Sequence, residues 1–393
     1  MILNLEETSA EKLFREEVRA WMANHLCGKY APLKNASGLG SPGFDASLAK
    51  EWEQELASGG WIGLGWSKAL GGRELPLSHE IIFHEEYVRC GGPGRIGHIG
   101  EHLLGPTLVD YGTPEQQQRF IPGILAGTTY WAQGYSEPGA GSDLAALRTK
   151  AEQDAATGDW VINGQKIWTS WAHESDWIFV LARTDAQSER HKGLTLLLVP
   201  LQQPGIEIRP IRQITGGSEF NEVFFDNART EGSLHLGAIG DGWKVAMALL
   251  AYERGVSTLG QQAQFKRELE QLIDLAKENG SAEDPIFRQQ LAHLALGLET
   301  LRSHALRVSD PHSSERSLSI SKYLWSNWHR ELGKLAINMI GLDLGTTESP
   351  HQAAKNLEQL WLSSKADTIY AGSNEIQFNI MAERSLNMPR EPR

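Results

Sequence analysis

The chain has 393 residues, 40% of them hydrophobic and 22% charged, with a net charge of −12. That length carries two or three domains with substantial cores, and the composition is ordinary for a globular protein. The acidic balance, with Lys and Arg scattered and in no basic run, excludes a nucleic-acid surface and an anionic membrane surface as partners.

The two cysteines, Cys27 and Cys90, are far apart and show no ligand spacing. Neither a disulfide framework nor a metal site is therefore expected, and a reducing, cytoplasmic setting fits. Met1 to Lys12 is acidic and holds no long apolar stretch, so no secretory signal is expected there. Apolar runs such as Leu194 to Val199 are too short to cross a bilayer.

Residues 1–128 read as helices. Thr8 and Glu11 form a capping-box start, and Leu13, Phe14, Val18, Trp21, Met22 and Leu26 repeat at helical spacing. Ser47 to Ala57 and Ser78 to Cys90 are further helices, and Thr113-Pro114-Glu115-Gln116 is a complete helix start. Trp61 and Trp66 in the loops between read as core residues. Residues 129–238 change to period two, with eight candidate strands between Thr129 and Phe225. Gly158-Asp159 and Asn163-Gly164 read as their turns, the second as a hairpin between Trp160–Ile162 and Lys166–Ser170. The strand spacing predicts an antiparallel barrel or sandwich. Residues 239–393 are helical again: one long helix or two from Gly242 to about Gly280, then Asp284–Arg307, Ser313–Met339, Gln352–Thr368 and Asn374–Arg384. Helices of that length pack as a bundle. The fold class is α+β.

Two stretches stand out chemically. Gln133-Gly134-Tyr135-Ser136-Glu137-Pro138-Gly139-Ala140-Gly141-Ser142-Asp143 runs from a strand end into a Gly-rich loop. Its hydroxyls, beside exposed N–H groups, suit an anion or a polar ring edge. Asn163-Gly164-Gln165-Lys166-Ile167-Trp168-Thr169-Ser170-Trp171 places Trp168 and Ser170 two apart, on one strand face. An aromatic plane and a hydroxyl there suit a planar heterocycle. From the residues alone, an ordinary hairpin and loop explains both stretches as well.

Together, in this order and separation, the two stretches resemble the flavin-binding signature of the acyl-CoA dehydrogenase family, and the resemblance runs over nearly the whole chain. It implies an N-terminal helical domain, a central antiparallel β-barrel domain and a C-terminal four-helix-bundle domain. It also implies FAD, with Gln133, Tyr135, Ser136, Gly141, Ser142, Trp168 and Ser170 around the flavin and Ser373 near the nucleotide end. The implied reaction is α,β-dehydrogenation of an acyl-CoA thioester, with electrons passed to an electron-transfer flavoprotein. No G-x-G-x-x-G follows a strand, which disfavours a nicotinamide enzyme.

Such a reaction needs a base for the α-proton, a hydride acceptor over Cβ, and hydrogen bonds to the thioester oxygen. Familiar members carry the base as Glu in a Y-E-G-T motif. Here the stretch reads Tyr370-Ala371-Gly372-Ser373, and Ala371 has only its backbone N–H to give. Other members hold a Glu just before an Arg on the first helix of the C-terminal domain. Tyr252-Glu253-Arg254 matches that position, so Glu253 is the expected base. Ser142, Tyr252 and Arg254 are expected along the substrate.

A second departure concerns the diphosphate of FAD. The Arg-x-x-Phe-Gly and Q-x-x-G-G-x-G segments that a neighbouring subunit lends are replaced here by Ala276 to Asp284 and by Asn338 to Gly345, with Leu342 and Asp343 in place of glycines. Acids beside a diphosphate repel it. The pattern resembles bacterial α2β2 dehydrogenases of steroid side chains and other bulky acyl groups, which implies a homologous partner subunit in place of a twin. The competing reading is a non-catalytic or half-site subunit. An oxidase is disfavoured by the short chain.

Overall fold

The computed structural model describes residues 7–36, 44–252, 257–308, 320–341 and 352–390. The chain divides into two compact units, one of residues 1–80 and 90–253, the other of residues 81–89 and 254–393.

The first unit opens with helix α1, Ser9–His25, whose Thr8–Glu11 capping box is formed and whose Phe14, Val18 and Met22 face inward. Helix α2, Ala46–Ser58, starts on Asp45 and buries Ala49, Trp52 and Leu56. Of the two loop tryptophans expected in the core, Trp61 is buried and Trp66 is partly buried, packed against a core that includes Leu104 and Leu108. Helix α3, Leu77–Arg89, straddles the two units. A helical run over Gly100–Tyr111 lacks any sequence start signal: it is a π turn, Gly100–Leu104, followed by α4, Gly105–Tyr111. Pro106 removes a helix N–H at that junction, a common cause of such a widened turn. Helix α5, Pro114–Leu125, has the expected capping box. Its Gln116 amide also donates to the carbonyls of Ser233 and His235, tying the helix to a strand.

The strands are β1 Trp131–Gly134, β2 Lys150–Gln153, β3 Trp160–Ser170, β4 Trp177–Arg183, β5 Leu194–Pro200, β6 Ile206–Ile211, β7 Phe220–Thr230 and β8 His235–Leu236. They form one sheet in the order β6-β7-β3-β2-β4-β5-β8, with β1 also on β4. The expected antiparallel barrel is corrected on two counts. The sheet is open, with β6 and β8 as its ends, and β4 pairs in parallel with both β1 and β2. β4 and β5 are buried on both faces. Phe179, Leu181, Leu196 and Leu198 meet α4, α5 and α6 (Gly242–Tyr252), while Ile178, Val180, Leu197 and Val199 join a second core with Val223 and Phe225. Burial on both sides explains a continuous apolar run where alternation would mark a half-exposed strand.

The expected hairpin at Asn163-Gly164 is a second correction, because Trp160–Ser170 is one strand. Register slips between Ile162↔Ala228 and Gly164↔Phe225, so β7 carries one extra residue in a bulge. Gly164 has φ +152, and a Cβ there would lie 2.7 Å from Thr149 Cα, which glycine alone accommodates. The Asn163 side chain accepts from Asn227 N–H in the bulge at 2.9 Å. The dipeptide that reads as a turn is the half of a bulge that lies on the partner strand.

In the second unit, α7 (Ser257–Glu278), α8 (Pro285–Val308), α9 (Ser321–Ile340) and α10 (Gln352–Asp367) surround one core. Phe265, Leu269 and Leu272 of α7 meet Leu294, Leu298 and Leu301 of α8, Trp328, Leu332 and Leu335 of α9, and Leu357 and Leu360 of α10. The spacings of three and four are those of a four-helix bundle. A short α11, Asn374–Ile380, follows.

Candidate active site

The Gly-rich loop and β3 are held together by one buried ion pair. Ile167 N–H donates to Ser136 O at 2.9 Å, so the loop runs alongside β3. Glu137 is buried, and its carboxylate accepts from Arg148 N–H at 2.7 Å, Thr149 N–H at 2.8 Å and Lys166 Nζ at 2.9 Å. Lys166, with no exposed surface, also donates to Tyr135 O at 3.0 Å. Burial pushes the Lys166 ammonium down to about 8, with Glu137 opposing. Pro138 and Gly139 turn the chain between reciprocal Glu137–Ala140 backbone bonds. A Cβ at Gly139 or Gly141 would meet nothing within 4 Å, so this side of the loop is open.

β3 bulges again between Lys166↔Val223 and Thr169↔Asn221, and Trp168 sits there at φ +60. The bulge leaves Trp168 57% exposed, edge-on to Phe220 at 6.4 Å. Next to it the buried Thr169 hydroxyl has no hydrogen-bond partner among the described residues. Trp168 and the half-buried Ser170 flank Thr169 on the less covered side.

The structure therefore brings Ser136, Trp168 and Ser170 to the loop and adjoining strand. Gly141 and Ser142 are exposed on the same loop. Gln133 lies half-buried on β1, and the Tyr135 ring is buried edge-on to Phe179. Sequence reasoning missed Glu137 and Lys166 although both lie inside the stretches it singled out. The signal was available, since a charge at an inward strand position needs a partner.

Tyr252 ends α6, and its hydroxyl donates to the Asp110 carboxylate of α4. Burial and then that hydrogen bond push the phenol above its ordinary range. Glu253 and Arg254 lie outside the described residues, as do Leu342 and Asp343. In the second unit Ala371 is exposed at φ +51 and is followed by Gly372 at φ +89. Gln377 Nε2 donates to the carbonyls of both at 3.4 Å. Ser373 caps α11, accepting from Ile376 N–H at 3.4 Å. In the replaced diphosphate segment, Asp284 is occupied in starting α8, its carboxylate accepting from Ile286 N–H at 2.9 Å.

Another group escaped the sequence. Arg95, 9% exposed, bridges Glu101 at 2.6 Å and Glu53 at 3.5 Å. Burial raises Glu101, but Arg95 and His102 outweigh it and hold it at about 2. Glu80 is pushed up to about 7 by burial and by Glu101.

An open sheet between helical segments, with a Gly-rich loop locked to a bulged strand and a four-helix bundle, is the architecture of the acyl-CoA dehydrogenases. Residues 8–128, 132–228 and 240–386 match the N-terminal, middle and C-terminal domains of that family, and the chain belongs to it. It is an oxidoreductase of a family of flavoproteins. Among its relatives is acyl-CoA dehydrogenase IpdE1 of Mycolicibacterium smegmatis, 53% identical over 96% of this chain and 98% of that one. IpdE1 of Mycobacterium tuberculosis is 54% identical at the same coverage. Solved structures that align with it include a steroid acyl-CoA dehydrogenase, Tcur3481-Tcur3483, at TM-score 0.86 and 31% identity over 99% of this chain and 100% of that one, and the ChsE4-ChsE5 complex of Mycobacterium tuberculosis, at 0.83 and 26% over the same shares. Among the described residues no helix is long and apolar enough to cross a membrane.

Proposed function

We propose that this chain binds FAD and desaturates an acyl-CoA thioester between Cα and Cβ, with electrons leaving to an electron-transfer flavoprotein. The observation that carries the reading is the exposed Trp168, turned outward at the bulge beside the open loop and the unpartnered Thr169 hydroxyl. An aromatic plane and free polar groups at one strand suit a flavin ring. Gln133, Tyr135, Ser136, Gly141, Ser142, Trp168 and Ser170 would hold it, and Ser373 would serve its nucleotide end. Bound flavin would supply the hydride acceptor that no side chain provides.

Glu253 takes the α-proton, since Ala371 has no carboxylate. The Ala371 N–H donates to the thioester oxygen and stabilises the developing enolate. Ser142, Tyr252 and Arg254 line the substrate. The tie between Tyr252 and Asp110 fixes the helix end that leads into Glu253. Glu253→Gln should keep FAD and CoA-ester binding and lower turnover roughly 10²-fold, the usual scale for a general base. Anaerobic flavin bleaching by a CoA ester measures this, and bleaching at the wild-type rate rejects Glu253.

The chain works with a homologous subunit that supplies the diphosphate grip. Glu283, and Asp284 occupied in capping α8, favour this reading. The solved relatives named as paired chains support it, and with them a steroid-derived or otherwise bulky acyl group. Purified alone, the chain should hold FAD below stoichiometry and fill on adding the partner. Stoichiometric FAD on a homo-oligomer rejects the reading. A subunit that only shapes a complex is the alternative, and absence of flavin in the filled complex would favour it.

A further inference from the structure

The Ala371 turn is strained and unusually well tethered. Ala371 is a non-glycine residue in the left-handed region, a disfavoured conformation that persists only where the surroundings over-determine it. Gly372 continues in the same region, and a Cβ there would meet Gln377 Nε2 at 2.4 Å. On its C-terminal side the turn is held by Gln377 and by reciprocal amide bonds between Asn327 and Asn374, at 3.2 and 3.4 Å.

On its N-terminal side every acceptor of Asp367, the last residue of α10, is taken. Oδ1 accepts from the Tyr370 hydroxyl at 2.9 Å, Oδ2 from His329 Nδ1 at 2.6 Å, and the backbone carbonyl from Lys322 Nζ. His329 uses its other nitrogen on Glu268 of α7 at 2.9 Å, and Phe265 stacks on the imidazole at 4.4 Å. The Lys322 ammonium lies over the rings of Trp325 and Tyr370, at 4.1 and 4.4 Å. Asp367 and His329 are both largely buried, so these are desolvated, charge-assisted bonds. Tyr370, 48% exposed, immediately precedes Ala371. The chain of contacts thus runs from α7 through α9 to the end of α10, and through one phenol to the turn.

We propose that His329 and Asp367 are positioning residues. Through Tyr370 they hold the Ala371 turn so that its N–H faces the thioester oxygen. The second half of this statement rests on the function proposed above; the tether itself does not. Burial lowers His329, but Glu268 and the Asp367 hydrogen bond outweigh it and raise it to about 10. The imidazole is therefore doubly protonated at neutral pH and donates in both directions.

The first test is hydrogen exchange on the purified full chain, wild type against Tyr370→Phe and His329→Gln. Tyr370→Phe removes one hydroxyl from a half-exposed ring, so it folds even where the buried histidine variant does not. Exchange across residues 368–374 should quicken about tenfold or more in both variants, with the β4–β5 ladder unchanged. Equal exchange in the turn overturns the tether. The second test is steady-state turnover of the flavin-loaded complex. Tyr370→Phe should lower kcat about tenfold and leave KM within about twofold, because an interaction made mainly in the transition state is weakened. Unchanged kcat with a loosened turn overturns the positioning role. A wild-type complex that turns over no CoA ester, with exchange as expected, rejects the proposed function and the positioning role and leaves the tether standing.

Discussion

The Gly-rich loop and the Ala371 turn, the two backbone segments that the proposed function assigns to flavin and thioester, are built by opposite means. The loop from Ser136 to Ser142 is an extension of a sheet. Its backbone bonds to β3, and the Glu137–Lys166 pair that locks it comes from the same two stretches that carry the proposed ring residues. The turn at Ala371 has no ladder beside it. Beyond Gln377, the Asn327–Asn374 amides and a few local backbone bonds, its N-terminal side is held by Glu268, Lys322, His329 and Asp367, side chains spread over three helices and about a hundred residues. A ladder is redundant, since each bond is one of many. A relay of charged side chains is serial, so one titration or substitution reaches its end.

The hardest way to break the contrast is at the one serial contact on the sheet side. Lys166→Met strands the Glu137 carboxylate in a buried site. Removing one partner of a buried pair costs about 3–5 kcal/mol, so urea unfolding of the first unit should shift by that order. Glu137→Gln added to Lys166→Met should recover part of the loss. A loss below about 1 kcal/mol, the scale of an exposed pair, would show the loop is held by its ladder alone.

The bundle side answers to pH. The groups that face His329 are Glu268 on α7, Asp367 on α10 with the Tyr370 hydroxyl on the same carboxylate, and Lys322 on α9 beyond it. Its folded value, about 10, stands above the unfolded value near 6.5. The contribution to stability is therefore complete below about pH 6.5 and is lost as pH rises towards 10, roughly 5 kcal/mol in all. Denaturant titrations at pH 7 and 10 measure it, with His329→Gln as the reference for other groups that titrate in the window. The variant should lose less stability than wild type over that range. Equal losses would mean the imidazole is not charged in the folded chain.

This contrast also explains what was legible in the sequence. The helix starts at Thr8 and Thr113, the β-rich middle and the packed C-terminal helices follow from local periodicity and capping, and all are present; that the bundle has four helices was implied by the family resemblance. The loop and strand that carry Ser136 and Trp168 were legible because a ladder is local: both residues lie inside two short stretches. What failed was geometry that needs a third strand. Asn163-Gly164 has the chemistry of a turn, and only the pairing with β7 makes it part of a bulged strand. The barrel failed for the same reason, because closure depends on whether β6 and β8 meet. The His329 relay left no trace, since its members repeat at no period and become neighbours only when the bundle closes. The π turn at Gly100–Leu104 carries no start signal, and Arg95, Glu53 and Glu101 read individually as solvated charges.

The smallest expected effect on stability belongs to Trp168, and that smallness is informative. A buried tryptophan replaced by alanine costs about 3–5 kcal/mol. Trp168 is 57% exposed and touches Phe220 only edge-on, so little apolar area is lost with it. Its backbone stands at φ +60, where alanine is strained as much as tryptophan, and no conformational penalty is added. Trp168→Ala should therefore move stability by less than about 0.5 kcal/mol, the range of ordinary surface positions. Flavin affinity should fall by about fivefold, since an aromatic contact with a ring contributes about 1 kcal/mol. Thermal unfolding of the chain and flavin titration of the reconstituted complex separate the two quantities. An equal loss in both would make Trp168 a packing residue, and an unchanged flavin affinity would remove it from the ring site.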